Sequence, residues 1–261
     1  MLTETPAPSG SPFRLVELDG RSDPALLDEL YEAVLRPSFH DDVLVSKDVL
    51  AAGIAAGEGE REPLLRVAVA LDLGNSVVGG IICEWSPHSR VFLLSYLAAR
   101  PGMRGGGLGG LLMGQLPRWY ERLYPCAVLA EVDDPRFHPA DPEHGAPEAR
   151  LRFYTRHGAR LLDVPYIQPR LAPGGRRAHG MLVLVLHVDE PLLVGGAACP
   201  SLAGDPLRTW MTDYVLSAEG ETALSDPEII DQLDRLGASH GVSVVPVGRY
   251  TEIPSLGRAA S

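Results

Sequence analysis

The stretch Ala98-Ala99-Arg100-Pro101-Gly102-Met103-Arg104-Gly105-Gly106-Gly107-Leu108-Gly109-Gly110 decides how this chain is read. Before it lies the apolar run 91–99, and after it Leu108, Leu111, Leu112 and Leu116 recur at helical spacing. A strand therefore enters a glycine cluster and a helix leaves it. Glycine lets the backbone turn sharply and lets amides approach a ligand with no Cβ in the way. The helix that follows presents its first amides and the positive end of its dipole to the same place. An anion such as a pyrophosphate suits this turn, and Arg104 either adds positive charge or fixes the loop through its own contacts.

Working upstream, the runs 64–71, 77–85 and 91–99 are separated by turn chemistry at Asp72-Leu73-Gly74-Asn75 and Ser86-Pro87-His88-Ser89. They read as a meander of antiparallel hairpins. A strand at 13–18 and helices at 24–39 and 46–56 precede them. Asp23 caps the first helix with Pro24 at its first position, and Leu27, Leu30, Tyr31, Val34 and Leu35 form one apolar face. Downstream, a helix over 107–123 meets Pro117, which should interrupt it by removing an amide donor. A strand at 127–132, a long polar loop at 133–146, a short helix at 147–157 and strands at 160–168 and 180–188 complete the order. The fold class is α+β, a mixed sheet with helices on its faces. Gly105, Gly107 and Gly110 also satisfy a dinucleotide-binding spacing. That fold requires parallel βαβ units around the loop, however, and the hairpins here argue against it.

Residues 191–250 differ in character. Leu207, Trp210, Met211, Tyr214 and Val215 keep to one helical stripe, and Asp226-Pro227 opens a second helix carrying Ile229, Ile230, Leu233 and Leu236. A short strand at 242–247 follows. Two such helices cannot fold alone, so they pack on the main domain or on a second subunit. The expected organisation is a disordered tail at 1–12, a main domain at 13–190, a helical extension at 191–250 and a tail at 251–261.

The composition is that of an ordinary globular protein, 45% hydrophobic and 22% charged. No apolar run is long enough to span a bilayer, and residues 1–12 lack the basic and apolar regions of a signal peptide. The cytoplasm is the expected compartment. A net charge of −11 argues against a nucleic-acid partner and is compatible with steering a cationic substrate. Cys83, Cys126 and Cys199 have no metal-ligand spacing and read as small buried hydrophobes, so no metal is expected.

At residues 104–109 the chain resembles the GNAT acyltransferase superfamily, whose acyl-CoA loop reads Arg/Gln-x-x-Gly-x-Gly/Ala. Arg104, Gly107 and Gly109 match it. Phe153-Tyr154-Thr155-Arg156-His157-Gly158 is similar to the family's second segment, with Ala159 in place of the usual Phe and no Asn at the helix start. The resemblance covers residues 13–188 and says little about 191–261. It implies a GNAT-like fold and transfer of an acetyl or other short acyl group from acyl-CoA, with acetyl-CoA the expected co-substrate, to an amine of a small-molecule acceptor. Leu97, Ala98 and Ala99 would hold the pantetheine arm and polarise the thioester by backbone hydrogen bonds. Arg104, Gly105, Gly106, Gly107, Leu108, Gly109 and Gly110 would hold the pyrophosphate. Tyr154 would protonate the departing thiolate; the other reading of Tyr154 is a core contact with Leu151.

Some family members carry a glutamate before the loop, where this chain has Ser95. Attention therefore shifts to Glu131 as the general base, with Glu84 as a more distant candidate. Glu131 and Asp133 alternate with Val132 and face one side of the sheet, where an inward pair would raise one pKa. A solvated strand end is the bland alternative. Asp133, Phe137 and His138 of the long loop, with Tyr166 and Gln168 on one strand face, are the expected acceptor contacts. Two other functions stay open at this point: protein or peptide acylation, and a non-catalytic acyl-CoA-binding module. Monomer and homodimer are both compatible with the pattern.

Overall fold

The computed structural model describes residues 4–5, 12–41, 43–56, 64–103, 106–124, 126–141, 145–171, 174–196 and 200–255. The chain is α+β, a mixed sheet with flanking helices. It divides into two compact units: Met1–Trp85 with Leu94–Arg122, and Ser86–Leu93 with Leu123–Ser261. The division falls inside the segment that the sequence groups as one domain, and it cuts strand β5 between Leu93 and Leu94. Among the described residues, no helix is long and apolar enough to cross a membrane.

The first unit contains β1 (Glu4–Thr5), β2 (Arg14–Leu18), α1 (Pro24–Leu30), α2 (Lys47–Ala55), β3 (Leu64–Leu71), β4 (Val77–Ser86), most of β5 (Val91–Ala99), α3 (Leu108–Met113) and α4 (Gln115–Tyr120). β1 pairs with β2, β2 with β3 and β3 with β4, all antiparallel; of these, the β3–β4 hairpin is the one the turn chemistry predicts. Glu4 lies opposite Val16 and Thr5 opposite Leu15, so part of the segment expected as a disordered tail carries a strand. Two consecutive glycines in β4 let helices approach both faces. A Cβ on Gly79 would lie 3.1 Å from Leu108 and 3.3 Å from Leu112 of α3, and one on Gly80 would lie 2.4 Å from Leu30 of α1. Leu27, Leu30, Val34, Leu35, Leu50, Val67, Val69, Ile82, Tyr96 and Ala98 form the core on the α1 side.

Two helices depart from their expected limits. The apolar face over 24–39 is α1 followed by a π-turn at Tyr31–Leu35, in which the Arg36 amide reaches the Tyr31 carbonyl at 3.0 Å; both Val34 and Leu35 are buried there. The helix after the glycine loop breaks at Gly114, three residues before Pro117. Pro117 lacks the amide that would reach the Met113 carbonyl, and its ring crowds that carbonyl, so the disruption falls upstream of the proline.

The second unit contains the start of β5, then β6 (Ala127–Asp133), α5 (Pro147–Arg156), β7 (Arg160–Leu162), β8 (Tyr166–Gln168), β9 (Ala178–Val188), β10 (Leu193–Val194), β11 (Ser201–Leu202), α6 (Gly204–Glu219), α7 (Pro227–Leu236) and β12 (Val242–Pro246). The single strand expected over 160–168 is therefore two, split at 163–165. β9 pairs with β6, β7 and β8, β12 pairs with β7, and β11 joins β12 to β10. α6 and α7 bury Leu207, Trp210, Met211, Val215, Ile229, Leu233 and Leu236 in one core with Leu129, Tyr166, Val183 and Val244. Gly204 makes the helix pair close, since a Cβ there would meet the Ala238 carbonyl at 2.4 Å.

Polar contacts also hold α6 and α7 in this unit. Gln232, wholly buried, accepts from the Ile167 amide at 2.6 Å and donates to the Ile167 carbonyl at 2.9 Å. Arg177 bridges Glu219, Asp226 and Glu228. Burial opposes the Glu219 charge, but hydrogen bonds from Arg177 and Arg170 outweigh it and hold its carboxyl at about 2.

Candidate functional site

In the first unit the candidate cofactor loop is built from three local devices. The Arg100 amide continues the strand by donating to the Val78 carbonyl at 2.8 Å, and the Met103 amide then closes a turn onto the Arg100 carbonyl at 2.9 Å. Pro101 and Gly102, the latter at φ +83°, occupy the central positions, the arrangement of a type II turn. Gly107, at φ +79°, then starts α3 with no side-chain cap. A left-handed residue at that position strongly favours glycine. Among the described residues, chain neighbours aside, no heavy atom lies within 4 Å of where a Cβ would stand on Gly102, Gly106 or Gly107. Leu108 is buried against β4 and anchors the helix, while Gly109 is half-buried and Gly110 exposed. Leu97 and Ala99 of β5 are half-buried and Ala98 is buried. Arg104 and Gly105 lie outside the described residues.

The same unit holds a carboxylate that sequence reasoning ranked low. Ser95 of β5 donates to Glu84 Oε1 of β4 at 2.8 Å, and burial raises the Glu84 pKa against that hydrogen bond. β5 thus presents a hydroxyl bound to a glutamate of the neighbouring strand. Sequence spacing could not show this pairing, because Glu84 and Ser95 meet only once the hairpin forms.

In the second unit Glu131 of β6 is a hub. It accepts from the Tyr166 hydroxyl, from Gln168 Nε2 at 2.8 Å and from the Tyr214 hydroxyl at 3.2 Å. Tyr166 is 1% exposed and stacks on Trp210 at 6.2 Å between ring centroids. Burial first, then the Glu131 charge, drives the Tyr166 pKa well above that of an ordinary phenol, so it remains a donor. Asp133, two residues along β6, makes an ion pair with Arg150 of α5, with His138 Nδ1 4.0 Å away.

The loop after β6 is pinned where it is described. Asp134 is fully buried and holds Arg136 in a two-pronged ion pair, and Arg136 reaches on to the carbonyls of Thr251 at 3.0 Å and Ile253 at 2.9 Å. Phe137 packs over Gly180, where a Cβ would come within 2.8 Å of it, and His138 Nε2 lies 3.0 Å from the His179 carbonyl oxygen. Arg136 was not among the expected contacts, and nothing local in the sequence distinguishes it from the chain's other arginines. Tyr154 is buried on α5, edge-on to Phe153 with 5.2 Å between centroids. α5 ends at Gly158, φ +80°, with the Ala159 amide on the Tyr154 carbonyl at 3.1 Å. Ala159 is thus a buried residue at the C-terminal end of this helix.

No protein-family model and no curated protein matches this sequence. Among solved structures, the chain is similar to GNAT-family acetyltransferases. A GNAT-family putative acetyltransferase from Bacteroides thetaiotaomicron is 21% identical over 68% of this chain and 89% of that one, with a TM-score of 0.48. The ribosomal-protein-S18-alanine N-acetyltransferase from Escherichia coli is 17% identical over 70% of this chain and 97% of that one, with a TM-score of 0.43. Aminoglycoside 6'-acetyltransferase type Ii is 18% identical over 66% and 94% of the two chains, with a TM-score of 0.44.

Proposed function

We propose that the chain transfers an acetyl or other short acyl group from acyl-CoA to the amine of a small-molecule acceptor. The observation that carries this reading is the passage from β5 through the positive-φ glycines Gly102 and Gly107 into α3. Backbone amides from Gly106 to Gly110, with Arg104 and Gly105, hold the pyrophosphate, and the β5 backbone at Leu97–Ala99 polarises the thioester carbonyl.

Direct transfer needs a neutral amine, a stabilised tetrahedral oxyanion and a proton for the leaving thiolate. We place the base at Glu84 rather than Glu131. Burial raises the Glu84 pKa, the direction a proton acceptor near neutral pH requires. Glu131 already accepts three side-chain hydrogen bonds, which suits an anchor for the groups around it. Glu84 takes the ammonium proton, the amine attacks the thioester carbon, and collapse of the intermediate breaks the carbon–sulfur bond. Tyr154 supplies the proton to the sulfur in this reading. Asp133, Phe137 and His138 remain the proposed acceptor contacts, whereas the bonds of Tyr166 and Gln168 to Glu131 suit a framework role.

The test is incubation with acetyl-CoA and a panel of amines, amino sugars and amino acids, with free CoA as the readout. CoA release that depends on one acceptor class supports the proposal, and silence across the panel counts against it. Tyr154→Phe should lower kcat by about 100-fold while changing acetyl-CoA affinity little. An unchanged kcat refutes the acid role.

A further inference from the structure

Sequence spacing separates Cys126, His187 and Asp189, yet the β6–β9 ladder brings them together. Ala127 lies opposite Val188 and Val128 opposite His187, so Cys126 falls opposite Asp189 at the end of the ladder. The Asp189 amide donates to the Cys126 carbonyl at 2.9 Å, extending the pairing by one residue. Paired residues on antiparallel strands share a face, and so do residues two apart along one strand. Cys126, His187 and Asp189 therefore all project to one side. One ligand atom from each, Sγ, an imidazole nitrogen and a carboxylate oxygen, lies within 4.8 Å of the others.

We propose that Cys126 Sγ, His187 Nε2 and an Asp189 carboxylate oxygen bind a divalent cation of the Zn2+ class in tetrahedral geometry, with solvent in the fourth position. Zn2+ at ~2.0–2.3 Å from sulfur, nitrogen and oxygen ligands sets those atoms roughly 3.3–3.8 Å apart. His187 Nε2 and Asp189 Oδ1 are already 3.1 Å apart, and the rest of the cluster closes by a side-chain adjustment on the order of 1 Å. The second carboxylate oxygen, Asp189 Oδ2, accepts from the Cys126 amide at 2.7 Å, which fixes the carboxylate's orientation. The His187 and Asp189 side chains are 29% and 16% exposed, so a hydrated ion has a route in, while the Cys126 sulfur is shielded on the protein side.

Sulfur, imidazole nitrogen and carboxylate oxygen are the ligand atoms that Zn2+ takes in proteins, and here one of each converges. Binding of M2+ breaks the S–H bond, releases H+ to solvent and forms a metal–sulfur bond; the dication offsets both anionic ligands with no redox change. Such an ion would clamp the start of β6 to the end of β9.

Full-length, thiol-reduced protein titrated with Co2+ should bind about one equivalent and develop a thiolate-to-cobalt charge-transfer band with tetrahedral d–d intensity, both displaced by Zn2+. His187→Gln should weaken Co2+ binding by at least about tenfold, and Cys126→Ser should abolish the charge-transfer band. Because Cys126 is buried, its variant could fail to fold, and the half-exposed His187 then carries the test. The proposal is overturned by absence of the band in the wild-type chain. It is equally overturned by a band that survives Cys126→Ser, which would assign the thiolate to Cys83 or Cys199, or by His187→Gln binding Co2+ as the wild type does.

Discussion

On β4, Glu84 receives a hydrogen bond from a serine on the next strand and lies where burial raises its pKa. On β6, Glu131 receives two tyrosine hydroxyls and a glutamine amide. Both are half-buried strand glutamates, and a linear reading of the chain ranked Glu131 first because it has a carboxylate neighbour two residues on. The proposed mechanism takes the opposite order. A carboxylate with few donors in a desolvated place is poised to exchange a proton, whereas one that gathers donors from several elements is a polar anchor for the groups around it. Strand position alone cannot tell the two apart, since the donors come from elements far along the chain, such as Tyr214 on α6.

Substitutions at these two glutamates should separate rate from stability. The largest effect belongs to Glu84→Gln, which should lower kcat by ~10²–10⁴-fold and leave the urea midpoint near that of the wild type. A variant that turns over normally removes Glu84 from the mechanism. Glu131→Ala should instead destabilise the chain by about 2–4 kcal/mol in urea unfolding, because the buried Tyr166 hydroxyl and Gln168 amide lose their acceptor. Its calorimetric affinity for CoA should be unchanged. Tyr214→Phe removes only one donor at 3.2 Å from Glu131, and about 1 kcal/mol is expected.

The smallest effect sharpens the Glu84 side of the contrast. The Ser95 hydroxyl lowers the Glu84 pKa by binding the charged form, so Ser95→Ala should raise it further. A base must be deprotonated to act, and the acid limb of the pH–kcat/KM profile should therefore move to higher pH. A shift to lower pH, or none, would show that Glu84 does not set that limb.

Local chemistry made much of this legible in advance. Asp23 and Asp226 accept hydrogen bonds from amides of the helices they precede, and Pro24 and Pro227 stand at the first helical positions as their residue types require. The glycine loop could be read because Gly102 and Gly107 adopt backbone angles that few other residues tolerate, a preference written into the residue itself. The stripe Leu207, Trp210, Met211 and Val215 announced a buried helix face but not what covers it; the covering surface belongs to the sheet of the second unit.

What stayed hidden shares one physical cause. The Ser95–Glu84 bond, the three donors on Glu131, the Arg136 fork and the cluster of Cys126, His187 and Asp189 all depend on strand register or on contacts between distant elements. A one-residue slip in register turns every side chain of a strand to its other face. Periodicity, caps and turn residues act over a few neighbours, so the order and kind of elements can be read from the chain directly. The pairing of polar groups follows from how those elements dock, which is settled by packing across the whole sheet.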